Sequence, residues 1–168
     1  PEVSMARATR SGGFTLLELL VVLVIIGVVL GFATLSVGGG RAAAVEREAQ
    51  RLARVAELAG EEAVLRTREL GLRLEADGYR FLVLEEEEWV PLGGGGVLAA
   101  HEWGAGIELA LERPVMEDPQ PGRPQVLLLS SGERTPFTVR FTDGDGAAHW
   151  RVEAPAVGPV RWSRGEAW

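Results

Sequence analysis

Apolar residues are spread very unevenly along this chain. From Leu19 to Gly40 there are 22 consecutive residues without a charge, and between Arg10 and Arg41 the only charged residue is Glu18. A helix over residues 14–37 would be roughly 36 Å long, enough to cross a hydrocarbon core of about 30 Å with some tilt. The pattern therefore predicts one transmembrane helix. Arg7 and Arg10 precede it on a short flank, which favours a cytoplasmic N-terminus and export of everything from Arg41 onward. The run is longer than the apolar core of about 7 to 15 residues in a secretory signal, and no clear Ala-x-Ala pattern follows it. Ordinary signal cleavage is not expected.

The periodicity then changes. Gly38, Gly39 and Gly40 cost a helix about 3 kcal/mol relative to alanine, which predicts a bend or a melted segment. Beyond them Val45, Ala49, Leu52, Ala56, Ala59 and Ala63 recur at spacings of 4, 3, 4, 3 and 4. They define one face of an amphipathic helix running to about Leu70, with Gly71 as its stop. Val55, Leu58 and Leu65 widen the stripe. Glu62 with Arg66, and Glu69 with Arg73, have the i, i+4 order of an exposed face. The small alanines would let a sheet pack close.

After Gly71 the pattern alternates. Residues 72–76 and 79–84 read as a hairpin about an Asp77-Gly78 turn. Further strands are expected over residues 87–91, 97–103, 107–112, 126–130, 137–142, 148–153 and 157–162, with a proline-rich loop over 116–122. The fold class is α+β: a long N-terminal helix, half transmembrane and half amphipathic, packed on an antiparallel sheet or sandwich. The expected organisation is a segment 1–13 before the span, the span at 14–37, a glycine hinge and amphipathic helix at 38–71, and a β-rich domain at 72–168.

Charge and composition narrow the function. The formal net charge is -7, so broad attraction for nucleic acid is disfavoured. All 17 basic residues are arginine and cysteine is absent, which excludes disulfides, zinc-thiolate sites, cysteine nucleophiles and lysine Schiff bases. His101 and His149 have no metal-ligand spacing. Ser130 and Ser131 lack a nucleophile-elbow context. Asp143-Gly144-Asp145-Gly146 alternates carboxylates but lacks the rest of a calcium loop, so a hairpin turn is the better reading. Glu85 to Glu88 reads as a solvated rim that discourages edge pairing. Trp150, Trp162 and Trp168, with Arg151, Arg161 and Arg164 nearby, read as strand core with cation-π packing. The sharper alternative is a local phosphate and base contact. No catalytic residue, cofactor or metal is expected, and the chain does not read as an enzyme.

The junction before the span carries a specific resemblance. Gly13-Phe14-Thr15-Leu16-Leu17-Glu18-Leu19-Leu20-Val21-Val22-Leu23 resembles the class III signal of type IV pilins and type II secretion pseudopilins, with a small basic leader before it. The resemblance implies that a prepilin peptidase cuts between Gly13 and Phe14, removing a cytoplasmic leader of residues 1–13, and methylates the Phe14 amine. Glu18 becomes the fifth residue of the mature chain. A carboxylate in a membrane helix costs up to about 2.5 to 3.5 kcal/mol. The cationic Phe14 amine of a neighbouring subunit would offset that cost and fix subunit register. The alternative is that Glu18 only snorkels to the near interface. Gly27 and Gly31 have a close-approach spacing, though plain tolerance of glycine in a membrane helix is the stronger reading.

A second resemblance lies downstream. Gly78-Tyr79-Arg80-Phe81, Trp89-Val90-Pro91-Leu92 and Leu129-Ser130-Ser131-Gly132-Glu133-Arg134-Thr135-Pro136-Phe137-Thr138-Val139 resemble the minor pseudopilin H family of type II secretion (GspH/FimT-like). Gly78, Tyr79, Phe81, Ser131, Gly132, Thr135, Pro136 and Phe137 carry the match and read as structural. The tract Gly93 to Gly96 and the tryptophan-containing tail depart from it. The resemblance implies a pilin-like, single-pass inner-membrane protein with a periplasmic domain, extracted into the pseudopilus as a structural subunit near its tip. Its expected partners are prepilin peptidase, the other minor pseudopilins, the major pseudopilin and the inner-membrane assembly platform, through which an assembly ATPase acts. The runner-up is a minor type IV pilin for surface pili or DNA uptake. On either reading Glu18→Ala is expected to insert normally but to enter filaments poorly; normal incorporation, measured on sheared filaments, would remove the role of Glu18.

Overall fold

A computed structural model of the chain describes residues 16–93, 95–112, 122–144, 146 and 149–165, and the side chains of all of these except 29–39. It comprises two compact units that divide between Gly38 and Gly39. The helix α1 spans Leu16–Leu65. Helical backbone continues through Gly38, Gly39 and Gly40 in place of the melted segment their propensity suggests. Once helix is nucleated on both sides, propagating it across three weak positions requires no new nucleus.

In the second unit the predicted stripe is the buried face of α1. Ala49, Leu52, Ala56, Ala59 and Ala63 are fully inaccessible, with Val45 and Val55 nearly so. Leu58 and Leu65 do not join it: they are 42% and 80% exposed. The helix also stops earlier than expected. Thr67 takes a left-handed conformation (φ 48°), its N–H donates to the Val64 carbonyl, and the Arg68 N–H reaches back to the Ala63 carbonyl. This is a Schellman cap, built on a β-branched residue where glycine is usual. Gly71 is therefore not a helix stop. It lies in a strand, where a Cβ would collide with the Pro124 ring. Glu62 does pair with Arg66 at 2.8 Å. Glu69 and Arg73, past the helix end, turn to Ser130 and Glu75 instead.

Nine strands follow: β1 (Leu70–Glu75), β2 (Gly78–Glu85), β3 (Glu88–Pro91), β4 (His101–Glu102), β5 (Glu108–Leu111), β6 (Val126–Leu128), β7 (Phe137–Thr142), β8 (His149–Ala154) and β9 (Arg161–Arg164). They form two antiparallel sheets. One has the order β3-β2-β1-β6, with β4 sharing the β2 edge; the other has the order β5-β7-β8-β9. The first hairpin turns through Ala76 and Asp77, since Glu75 pairs with Gly78. Gly78 is a strand residue whose Cβ would strike the His101 carbonyl of β4. The strand expected over 97–103 shrinks to β4, and the one over 157–162 shifts to β9, leaving Val157 in an exposed bend. β7 pairs antiparallel with β8, and Asp145 of the turn expected at Asp143 to Gly146 lies outside the described residues. Glu86 and Glu87 both have positive φ at the exposed tip of the β2–β3 hairpin.

Both sheets and α1 share one core. Phe81 of the first sheet, Phe137 and Phe141 of the second and Leu52 of the helix are among its largest fully buried side chains. Trp103, just after β4, packs edge-on against Phe141 at 5.2 Å. Just before β6 begins, the Gln125 side chain prolongs its pairing with β1: Oε1 accepts from the Leu74 N–H at 3.0 Å and Nε2 donates to the Leu74 carbonyl at 2.7 Å.

Two glycines separate close approach from conformational slack. Gly78→Ala is expected to destabilise the protein by about 1–3 kcal/mol, because β4 must move. Gly60→Ala, on α1 with open space around it, should stabilise by about 0.5–1 kcal/mol. Urea unfolding of the full chain in detergent measures both.

Candidate functional site

The N-terminal candidates come first in the chain. Gly13 and Phe14 lie outside the described residues. Glu18 is in the first turn of α1 and is exposed, among Leu16, Leu17, Leu19 and Leu20, which are each more than half exposed. The described apolar side chains run only from Leu16 to Val28. Among the described residues no helix is long and apolar enough to cross a membrane.

The downstream candidates fall into two groups that the fold keeps apart. Gly78, Tyr79 and Phe81 belong to β2. Gly78 admits β4, Phe81 is core, and Tyr79 sits where α1, β2 and β4 meet. Its ring packs at 5.4 to 5.8 Å from Phe81, His101 and Trp103, and its hydroxyl accepts from Arg51 Nε at 3.2 Å. His101 Nε2 lies 2.8 Å from Glu48 Oε2, so a second polar contact ties β4 to α1. Trp103 Nε1 donates to the Glu75 carbonyl.

Ser131, Gly132, Thr135, Pro136 and Phe137 lie on the connection from β6 in one sheet to β7 in the other. Gly132 has φ 89° and its N–H donates to Leu129, closing the turn. Thr135 Oγ1 accepts from the Leu127 N–H at 3.1 Å and Ser131 Oγ from the Glu133 N–H at 3.4 Å. Pro136 is exposed; Phe137 begins β7 and is buried. Sequence reasoning missed the groups that tie this turn down. Ser130 Oγ donates to Glu69 Oε1 at 2.7 Å. Arg134 Nη2 donates to the Gly158 carbonyl at 2.8 Å, and Glu57 of α1 accepts from the Val160 N–H at 2.7 Å. These contacts span up to 103 residues, so no local spacing signals them.

Ser130 is engaged by Glu69, and the histidines belong to different sheets. Among the described residues no three His, Cys, Asp or Glu side chains cluster as metal ligands. An open groove of about 550 Å³ lies between α1 and the 92–99 loop, but its Glu62 is already paired at 2.8 Å with both Arg66 and Arg68. Trp150 packs against the core, whereas Trp162 on the edge strand β9 is 40% exposed.

Residues 48–158 match the family profile "Type II transport protein GspH", and residues 9–34 match "Prokaryotic N-terminal methylation motif". The chain belongs to the GspH family. Type II secretion system protein H of Pseudomonas aeruginosa is 39% identical over 152 residues, covering 82% of this chain and 85% of that protein. Its counterpart from Aeromonas hydrophila is 31% identical over 173 residues, covering 92% and 94%. The minor pseudopilin EpsH of the Vibrio cholerae type 2 secretion system superposes with a TM-score of 0.62 at 28% identity, over 73% of this chain and 98% of that one. The solution structure of Escherichia coli GspH is similar in fold, with a TM-score of 0.61 at 21% identity over 73% and 89%. The chain is thus a pilin-like minor pseudopilin of type II secretion, and the surface-pilus alternative is not favoured.

In this GspH-family domain burial lifts the Tyr79 phenol above its ordinary value near 10, while the hydrogen bond and charge of Arg51 pull partly the other way. A folded value above the unfolded one means that the associated stabilisation is intact below pH 10 and is lost as pH rises through the folded value. Tyr79 is the single tyrosine, so phenolate absorbance reports it alone. The folded chain is expected to titrate above the urea-unfolded chain, and Arg51→Met to raise the midpoint further. Equal folded and unfolded midpoints would contradict a buried phenol.

Proposed function

We propose that this chain is a non-enzymatic structural subunit of the periplasmic pseudopilus, placed near its tip and supporting protein export across the outer membrane. A methylation motif over residues 9–34 directly precedes a GspH domain over 48–158, and this order carries the reading. Prepilin peptidase cuts between Gly13 and Phe14 and methylates Phe14. Residues 14–37 hold the precursor in the inner membrane with residues 38–168 in the periplasm. This anchoring rests on the charge-free run from Leu19 to Gly40. Glu18 pairs with the Phe14 amine of a neighbour as the subunit leaves the membrane. The other minor pseudopilins and the major pseudopilin are its filament partners, and the assembly platform delivers it.

The physical support for a structural role is that the motif side chains of Tyr79, Ser130, Arg134 and Thr135 make internal contacts. Arg51, Tyr79, Glu69, Ser130 and Arg134 join helix, sheets and loops. What remains for function is surface.

Intact-mass and N-terminal analysis of the membrane-extracted protein, made with and without prepilin peptidase, tests the processing step. The expected product begins at methylated Phe14 and crosslinks to other pseudopilins. A chain left uncut by an active peptidase would overturn the assembly reading, and capture by surface-pilus subunits would move it to that system.

A further inference from the structure

The second sheet runs β5-β7-β8-β9, and among the described residues no strand pairs with the outer side of β5 or of β9. Cross-strand pairing places Leu111, Val139, Val152 and Trp162 in one row across it. Val139 and Val152 are fully buried, yet the row ends in an apolar residue at each edge: Leu111 is 44% exposed and Trp162 40%. The adjoining row, on the other face, is Glu112, Thr138, Glu153 and Arg161, acidic at one edge and basic at the other.

Hydrogen bonding fixes which backbone groups point outward. The Glu112 N–H donates to the Thr138 carbonyl, and the Gly165 N–H donates to the His149 carbonyl. By alternation the backbone groups of Leu109 and Leu111 on β5, and of Trp162 and Arg164 on β9, point away from the sheet. Each strand of the four is antiparallel to the next, so β9 runs opposite to β5. The β9 edge of one copy can therefore continue onto the β5 edge of another in the same antiparallel sense. Setting Trp162 opposite Leu111 brings Arg164 opposite Leu109, and at both positions the outward backbone groups face each other and exchange hydrogen bonds. The same register covers the two half-exposed apolar ends with each other. It also sets Arg161, already beside Glu153, opposite Glu112 of the second copy.

We propose that a second copy of this chain extends the sheet, with β9 of one copy paired to β5 of the next and Trp162 opposite Leu111. Other edge pairings fit less well. Two β9 edges would gather Arg161 and Arg164 from both copies, and two β5 edges would gather Glu108 and Glu112. In the first sheet the Thr135 N–H already donates to the Leu127 carbonyl along the β6 edge. On β3 the outward positions are Trp89 and Pro91, because the Leu92 N–H turns inward to the Phe81 carbonyl, and Pro91 has no N–H to give. Glu112 pairs with Arg140 and Arg151 in its own copy, so the incoming Arg161 joins an existing network. The contact is heterologous and leaves one β5 and one β9 free however many copies join.

The absence of native cysteine makes disulfide trapping specific. Ser163 and Ala110 are exposed and fall opposite each other in this register, at a site without ladder hydrogen bonds where Cα atoms lie about 4.5 Å apart, within disulfide reach. Within one copy they are three strand spacings apart, roughly 14 Å, too far to bridge. Full-length A110C and S163C, purified in detergent, are mixed under mild oxidant and run on non-reducing gels. The mixture is expected to give a disulfide dimer and A110C/S163C a ladder of higher oligomers, while either single variant alone stays monomeric. R161E added to S163C should lower the dimer yield about fivefold, and R161Q less. A mixture yield no higher than that of S163C with E133C, whose cysteine stands on the exposed 129–136 turn, would overturn the seam. So would equal dimer from S163C alone, which would point to β9 on β9. If A110C/S163C fails to fold, the mixture of single variants decides. The seam needs neither processing nor export, so its failure would leave the subunit reading standing.

Discussion

The domain depends on how closely two sheets can approach one helix. The buried face of α1 is mostly alanine where the sheets meet it, at Ala49, Ala56, Ala59 and Ala63, with Leu52 and Val45 as its larger fully buried residues. Alanine brings little side-chain entropy to lose and little bulk, so volume in the core comes from the sheets. Phe81, Phe137 and Phe141 supply it. Among the described residues the sheets share no strand pairing. They are joined by this common packing, by the Trp103–Phe141 contact and by the 129–136 connection. Enlarging an alanine of the stripe would displace both sheets together, since neither can yield without losing the helix.

The same dependence explains what was legible in the sequence. The buried stripe could be read because burial on one side of a helix imposes its period on the residues themselves. Leu58 and Leu65 were misread because apolar character says that a residue can be covered and not by what; here the domain does not cover them. The helix end was misplaced because a cap needs a left-handed residue, and Thr67 supplies it where glycine was expected. Gly71 and Gly78 looked like punctuation. Their purpose is to admit the Pro124 ring and the His101 carbonyl, neighbours that only the folded chain brings near. Strand positions were mostly readable from alternation, but their division into two sheets was not, because pairing partners are set by contacts distant in sequence.

For the candidate site the division is similar. The signal around Gly13, Phe14 and Glu18 is legible because an enzyme must read it as a local string before the protein is assembled. The 129–136 segment was legible as a motif, but its anchoring was not. Ser130 finds Glu69 across 61 residues, and Gln125 imitates a strand toward Leu74 across 51. A buried amide or hydroxyl left without such a partner would cost about 1–3 kcal/mol. The motif is therefore half of an arrangement whose other half carries no recognisable pattern.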